Sequence, residues 1–225
     1  MSKIVKINTS FGYGTAYEKA LLLDYARNWV SKYNIKNVLE YPANNLMGNN
    51  NEIFEIILGK ENCMKLNKNE KTGQKYDLAW CFCEFENEED SQKFISDILD
   101  KSKYVLIITQ NYLNLGVLIH RIWHILWKRK WDHGIISKSS ASSVRRYIKS
   151  NTIVESGAFD CPWFYFDIYE TFSDIKGMIK PEEQKEREFM ISESFFEKLP
   201  VFIKTVICHH NYLIIKTPDS LFNSC

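Results

Sequence analysis

Asn37-Val38-Leu39-Glu40-Tyr41-Pro42-Ala43-Asn44-Asn45-Leu46-Met47-Gly48 is a short apolar run that ends on a carboxylate and passes straight into a turn-rich loop ahead of a helical segment. The pattern predicts a strand, a ligand loop and a helix N-terminus. In an open α/β sheet a ligand settles beyond the carboxyl ends of the strands, where loop backbone can approach it and a helix N-terminus offers unpaired N–H groups. Glu40 is expected at that edge. A plain connection between strand and helix, with no ligand, is the competing reading of the same residues.

Outward from this loop the chain alternates strand and helix signals. Downstream, Ile53, Phe54, Ile56 and Ile57 predict a first crossover helix closed by Gly59 at its C′ position. Residues 60–75 are polar and lysine-rich, with a single short strand candidate at 63–66. A buried-strand pattern follows at 76–82, a helix at 88–99, and then Val105, Leu106, Ile107 and Ile108 in a row, the mark of a central strand covered on both faces. Further on, a serine-rich loop leads to a helix at 143–149 and a strand at 152–158. Pro181 and Glu182-Glu183 open another helix that Pro200 ends, 201–207 reads as either a strand or part of the helical layer, and 212–217 is the last strand. Upstream, Thr15 and Glu18 form a capping box ahead of Leu22, Ala26, Trp29 and Tyr33, a helix expected to lie across the sheet edge. Gly12-Tyr13-Gly14 is its entry turn. Strands alternating with helices imply parallel crossovers.

Composition narrows the function classes. A chain of 225 residues with 45% hydrophobic content can bury a sizeable core, and one domain is expected: an N-terminal helical cap over 1–35 and an α/β core over 36–225 with an apolar helical insertion near 114–131. The net charge of +1 gives no basic excess for nucleic acid and points to a small or neutral partner. The six cysteines follow an N-terminus without an uninterrupted apolar stretch, so reduced thiols in a cytoplasmic protein are expected. The 114–131 segment is too polar and interrupted to span a bilayer. On a helical projection Val117, His120, Arg121, His124 and Lys128 form one stripe facing a cleft or solvent, and the apolar remainder is expected to be buried in the protein or an interface.

The order of these features resembles the class I S-adenosylmethionine-dependent methyltransferases over most of residues 36–160 and the final strand. Val38-Leu39-Glu40 and its loop are similar to that family's first motif, an acidic residue leading into a glycine-rich turn under the methionine part of the cofactor. Tyr76-Asp77-Leu78-Ala79-Trp80 to Glu84 resembles its fourth strand with acidic residues following. Trp131-Asp132-His133-Gly134, then Ser142 to Tyr147 and Ile153 to Gly157, are similar to the histidine-containing loop, short helix and sixth strand of many members. The resemblance implies a Rossmann-like, mostly parallel sheet with helices on both faces. It also implies S-adenosylmethionine as cofactor, bound by Glu40, Tyr41, Pro42, Ala43, Asn44, Asn45, Gly48 and Cys83. The departures are specific. The family's glycine positions fall on Pro42, Asn44 and Leu46, and no carboxylate follows the 63–66 strand to bind ribose hydroxyls. The second and third strand region is therefore expected to be reduced.

Within this frame Glu84 and His133 are the candidates for removing an acceptor proton, and Asn111, His120 and His124 for contacting the acceptor, a small or lipid-like molecule. Glu84 is equally readable as a solvated loop acid. His120 and His124 at i, i+4 spacing, near His133, Cys81 and Cys83, suggest zinc, but no CxxC or HExxH pattern supplies a ligand set, so no metal is expected. His209-His210 reads as a turn. The rival to an enzyme is a methyltransferase-like binding or assembly module without activity. The tryptophans beside Arg121, Lys128, Arg129 and Lys130 also suit peripheral contact with a membrane.

Overall fold

The computed structural model describes residues 16–43, 52–68, 70–128, 130–131, 134–148, 152–160 and 198–218. Along the chain these form α1 (Ala16–Tyr33), β1 (Val38–Glu40), α2 (Glu52–Leu58), β2 (Cys63–Lys65), β3 (Tyr76–Phe82), α3 (Ser91–Lys101), β4 (Ser102–Gln110), α4 (Leu115–Leu126), α5 (Ala141–Arg145), β5 (Ile153–Phe159), α6 (Val201–Ile207) and β6 (His210–Lys216). The six strands make one sheet in the order β2-β1-β3-β4-β6-β5. β2, β1, β3 and β4 are mutually parallel, and β6 runs antiparallel between β4 and β5.

The apolar runs explain why this is a three-layer molecule. Successive side chains of a strand point to opposite faces, and in β4 both sets are buried. Leu106 and Ile108 join Leu78, Trp80, Phe82 and Ile214 under Leu22 and Trp29 of α1 and Phe54 of α2. Val105 and Ile107 join Ala79, Cys81 and Leu213 under Phe94, Ile95 and Ile98 of α3 and Val144 of α5. A Rossmann-like, mostly parallel sheet with helices on both faces follows from this alternation.

Between Gly59 and Tyr76 the only strand among the described residues is the three-residue β2, so the sheet is reduced where the sequence indicated. Gly59, at φ 87, closes α2 by donating its N–H to the Glu55 carbonyl.

Several elements depart from the sequence reading. α1 lies on a face of the sheet, over β5 and β6, instead of across its edge. Tyr25 packs on Phe159 and Tyr212, and Trp29 on Tyr212. The Glu155 carboxylate of β5 accepts hydrogen bonds from Trp29 Nε1 (3.1 Å), Lys32 Nζ (2.8 Å) and Tyr33 Oη (2.8 Å). α3 starts later than expected because Asp90, whose carboxylate accepts from the Lys93 N–H at 2.9 Å, is its cap. α5 is shorter than expected and is capped by Ser140. Residues 201–207 are helical. The expected capping residue Thr15, the 12–14 turn and the helix after Pro181 lie outside the described residues.

α4 is buried differently from the expectation: of the predicted stripe Arg121 and Lys128 are exposed, but much of the apolar remainder is exposed too. Val117 and His124 point inward, whereas Leu118, Ile122, Ile125, Leu126 and Trp127 are exposed, Leu126 to 67%. No helix among the described residues is long and apolar enough to cross a membrane. The thiol expectation also needs correction. Cys63, Cys81 and Cys83 are free, but Cys208 is disulfide-bonded.

Candidate functional site

All six strands contribute to one edge of the sheet, where β1, β2, β3, β4 and β5 end and β6 begins. The chain steps from β1 outward to β2 and then back across β1 to β3, so β1 and β3 flank a topological switch point. Ligands of open α/β sheets occupy the crevice at such a point.

Glu40 ends β1, is 1% exposed, and lies in register with Lys65 of β2 and Trp80 of β3. The Lys65 ammonium stands 3.8 Å from its carboxylate. A cation thus occupies the side of Glu40 where the resemblance calls for a ribose-binding acid. Immediately after Glu40 the backbone stays in the ladder: the Tyr41 N–H donates to the Trp80 carbonyl and the Ala43 N–H to the Leu66 carbonyl. These two N–H groups are committed to the protein. The Tyr41 side chain turns into the α3 layer, stacks on Phe94 and donates to the Lys68 carbonyl at 3.1 Å; burial pushes its phenol up to about 12, with Asp97 and Glu88 adding to the rise. Pro42 is buried beside it. Asn44, Asn45, Gly48 and His133 lie outside the described residues, as does the side chain of His120.

Cys83 and Glu84 follow β3 and are both buried. Cys83 adopts a left-handed backbone at φ 54, its N–H donating to the Ile108 carbonyl, and its Sγ lies 3.7 Å from His210 Nδ1. Glu84 opens the 3₁₀ turn Phe85–Asn87. That turn carries Glu86, which sequence reasoning passed over. Glu86 is 1% exposed and one carboxyl oxygen accepts from the Gln110 N–H at the end of β4. Its other oxygen has no hydrogen-bond partner among the described residues. Burial pushes its carboxyl up to about 8 against the opposing backbone hydrogen bonds, and the neighbouring Glu84 adds to the rise.

Two acceptor-site candidates make hydrogen bonds within the protein. Asn111 donates its side-chain amide to the Thr205 and Cys208 carbonyls at the end of α6 and accepts from the Leu113 N–H. These bonds cap the helix, whose last carbonyls need outside donors. His124 packs on Trp131 and pairs its Nδ1 with the Lys130 carbonyl at 3.0 Å.

The turn expected at His209-His210 is instead a buried cluster. His209 is 4% exposed and His210 fully buried, their ring centroids 3.9 Å apart. His209 Nδ1 lies 3.2 Å from Asp160 Oδ2, and His210 packs between Phe82 and Phe159. The only sequence signal was Asp160 at the end of one apolar run and the two histidines at the start of another.

No family model matches the sequence, and no curated protein does either. Among solved structures the fold is similar to a magnesium protoporphyrin IX methyltransferase from Synechocystis with bound S-adenosylhomocysteine, at 11% identity and TM-score 0.46, covering 88% of this chain and 83% of that one. It is also similar to a putative sarcosine dimethylglycine methyltransferase from Galdieria sulphuraria, at 12% identity and TM-score 0.49, covering 94% of each chain. A third is a cyclopropane-fatty-acyl-phospholipid synthase-like protein from Lactobacillus casei, at 8% identity and TM-score 0.44, covering 92% of this chain and 95% of that one.

Proposed function

We propose that the chain, acting as one methyltransferase-like domain, transfers a methyl group from S-adenosylmethionine to a small or lipid-like acceptor. The observation that carries this reading is the switch point between β1 and β3, rimmed by the buried carboxylates Glu40 and Glu84. Carboxylates at such a crevice suit the ammonium of an amino-acid ligand, which would join Lys65 beside Glu40. The methionine part therefore fits these residues. The adenosine part fits less well, since Lys65 and a three-residue strand stand where a ribose-binding acid is expected.

When bound, the cofactor supplies an electrophilic methyl group on a sulfonium. The chain's own contribution is to hold and align the reactants, which supplies much of the rate in such a transfer without a strong base. Glu40 orients the ammonium. Glu84, with His133, takes up a proton where the acceptor must lose one. Cys83 and the 44–48 loop complete the cofactor side, and His120 of α4 contacts the acceptor.

A second reading, an inactive methyltransferase-like binding module, is favoured by the engagement of the Tyr41 and Ala43 N–H groups within the sheet. Calorimetry and thermal melts with S-adenosylhomocysteine separate the two. Binding raises the melting temperature by mass action, and Glu40→Gln weakens affinity by about tenfold, or roughly 1.4 kcal/mol. A folded chain that shows no shift at millimolar ligand leaves the inactive module as the reading.

A further inference from the structure

We propose that Asp160, His209 and His210 form a binding site for a divalent transition-metal ion of the zinc type at the carboxyl edge of the sheet. The proposal does not depend on the methyl-transfer reading. It also uses none of the residues that suggested zinc in the sequence.

The ligand-bearing groups are brought together by the antiparallel pairing of β5 and β6. Phe159 pairs with His210, which places Asp160 beside His209 just beyond the paired ends. The His209 N–H donates to the Asp160 carbonyl at 3.0 Å, and the Asn111 N–H donates to the His209 carbonyl at 2.7 Å, so β4 fixes the same corner. One donor atom from each of the three side chains lies within 4.8 Å of the other two. Donors bound about 2.1 Å from a common ion stand roughly 3 to 4 Å apart. The cluster therefore reaches ligating geometry by side-chain shifts on the order of 1 Å, not by refolding.

A hydrogen-bonded pair alone accounts for His209 and Asp160. His210 adds a third donor, its ring centroid 3.9 Å from that of His209 and one ligand atom within 4.8 Å of those of the other two residues. All three residues are at most 4% exposed. In such a site an ion bound by two neutral imidazoles and one carboxylate gives the buried carboxylate a counter-charge. The donor set also selects the metal. Two imidazoles and a carboxylate suit zinc or ferrous iron, whereas calcium and magnesium prefer all-oxygen ligands.

The test uses the full chain, stripped with a chelator under non-reducing conditions so that the Cys208 disulfide is kept and no added thiol competes for metal. Equilibrium dialysis with zinc alone, read by elemental analysis, is expected to give one equivalent per chain and a raised melting temperature. Cobalt substitution should give the visible absorption of a low-symmetry site with nitrogen ligands. Asp160→Asn, nearly isosteric, and His209→Gln should each abolish the bound equivalent and the zinc-dependent thermal shift. His124→Gln should leave both unchanged. Circular dichroism confirms that each variant is folded, and if one histidine variant is not, the Asp160→Asn result decides. A folded, stripped wild-type chain that takes up no zinc, or variants that bind it as well as wild type, would overturn the proposal and leave the cluster as a hydrogen-bonded corner.

Discussion

A carboxyl group sealed between the ends of β3 and β4, as that of Glu86 is, keeps its proton up to about pH 8, while the unfolded chain loses it near 4.5. Between those values the native state holds a proton that the unfolded state has released, so stability falls as pH rises through that window. Glu86→Gln keeps the shape and the acceptor for the Gln110 N–H but removes the titration. We expect the variant to match wild type near about pH 5 and to exceed it on the order of a few kcal/mol above about pH 8. Thermal melts across pH check this, and parallel curves for the two proteins would refute it. Glu155 has the opposite sign. Burial alone would raise its carboxyl, but hydrogen bonds from Lys32, Tyr33, Tyr212 and Trp29 outweigh that and hold it below the ordinary range. Glu155→Gln should lower stability by about 2 kcal/mol near neutral pH, seen as a lower urea midpoint, with the difference shrinking in acid. Neither behaviour was legible in the sequence. Whether a glutamate is solvated, sealed or shared by four donors depends on chain segments far away from it.

At the scale of elements, strands were easier to read than helix faces. The run Val105 to Ile108 has one stable placement, between two packed layers, and that is where it lies. The Val38 to Glu40 strand and its place at the carboxyl edge were equally readable from an apolar run ending on an acid. α4 was misread because its projection contains more apolar surface than one face can bury. The sequence does not say which part remains outside. In the structure the exposed part is Leu118, Ile122, Ile125, Leu126 and Trp127, continuing into Lys128. An apolar helix face with basic residues at its end suits an anionic lipid surface, where each Lys or Arg adds about 1 kcal/mol that salt screens. Co-sedimentation with phosphatidylserine vesicles should therefore decline with added salt. Replacing Lys128, Arg129 and Lys130 by glutamine should reduce it, and Ile125→Ser should reduce it independently of salt. Partitioning unaffected by either change would exclude this face as a lipid contact.

For the whole molecule, sequence order and spatial order disagree in an instructive way. Among the described residues β5 pairs only with β6, and β6 is the strand that joins it to β4. The sequence showed both apolar runs but not that the later one slots between the earlier two. For the same reason Asp160 and the His209-His210 pair were read as unrelated loop ends. During synthesis, β1 to β4 can assemble as soon as they emerge, but β5 has no neighbouring strand among the described residues until 210–216 follow it. α1, the first described element to be made, depends in turn on Glu155 of β5 for the acceptor of Trp29, Lys32 and Tyr33. The earliest helix therefore cannot reach its final seat until the last strand has left the ribosome, and a nascent chain halted before His210 would carry an unseated α1 beside an incomplete sheet.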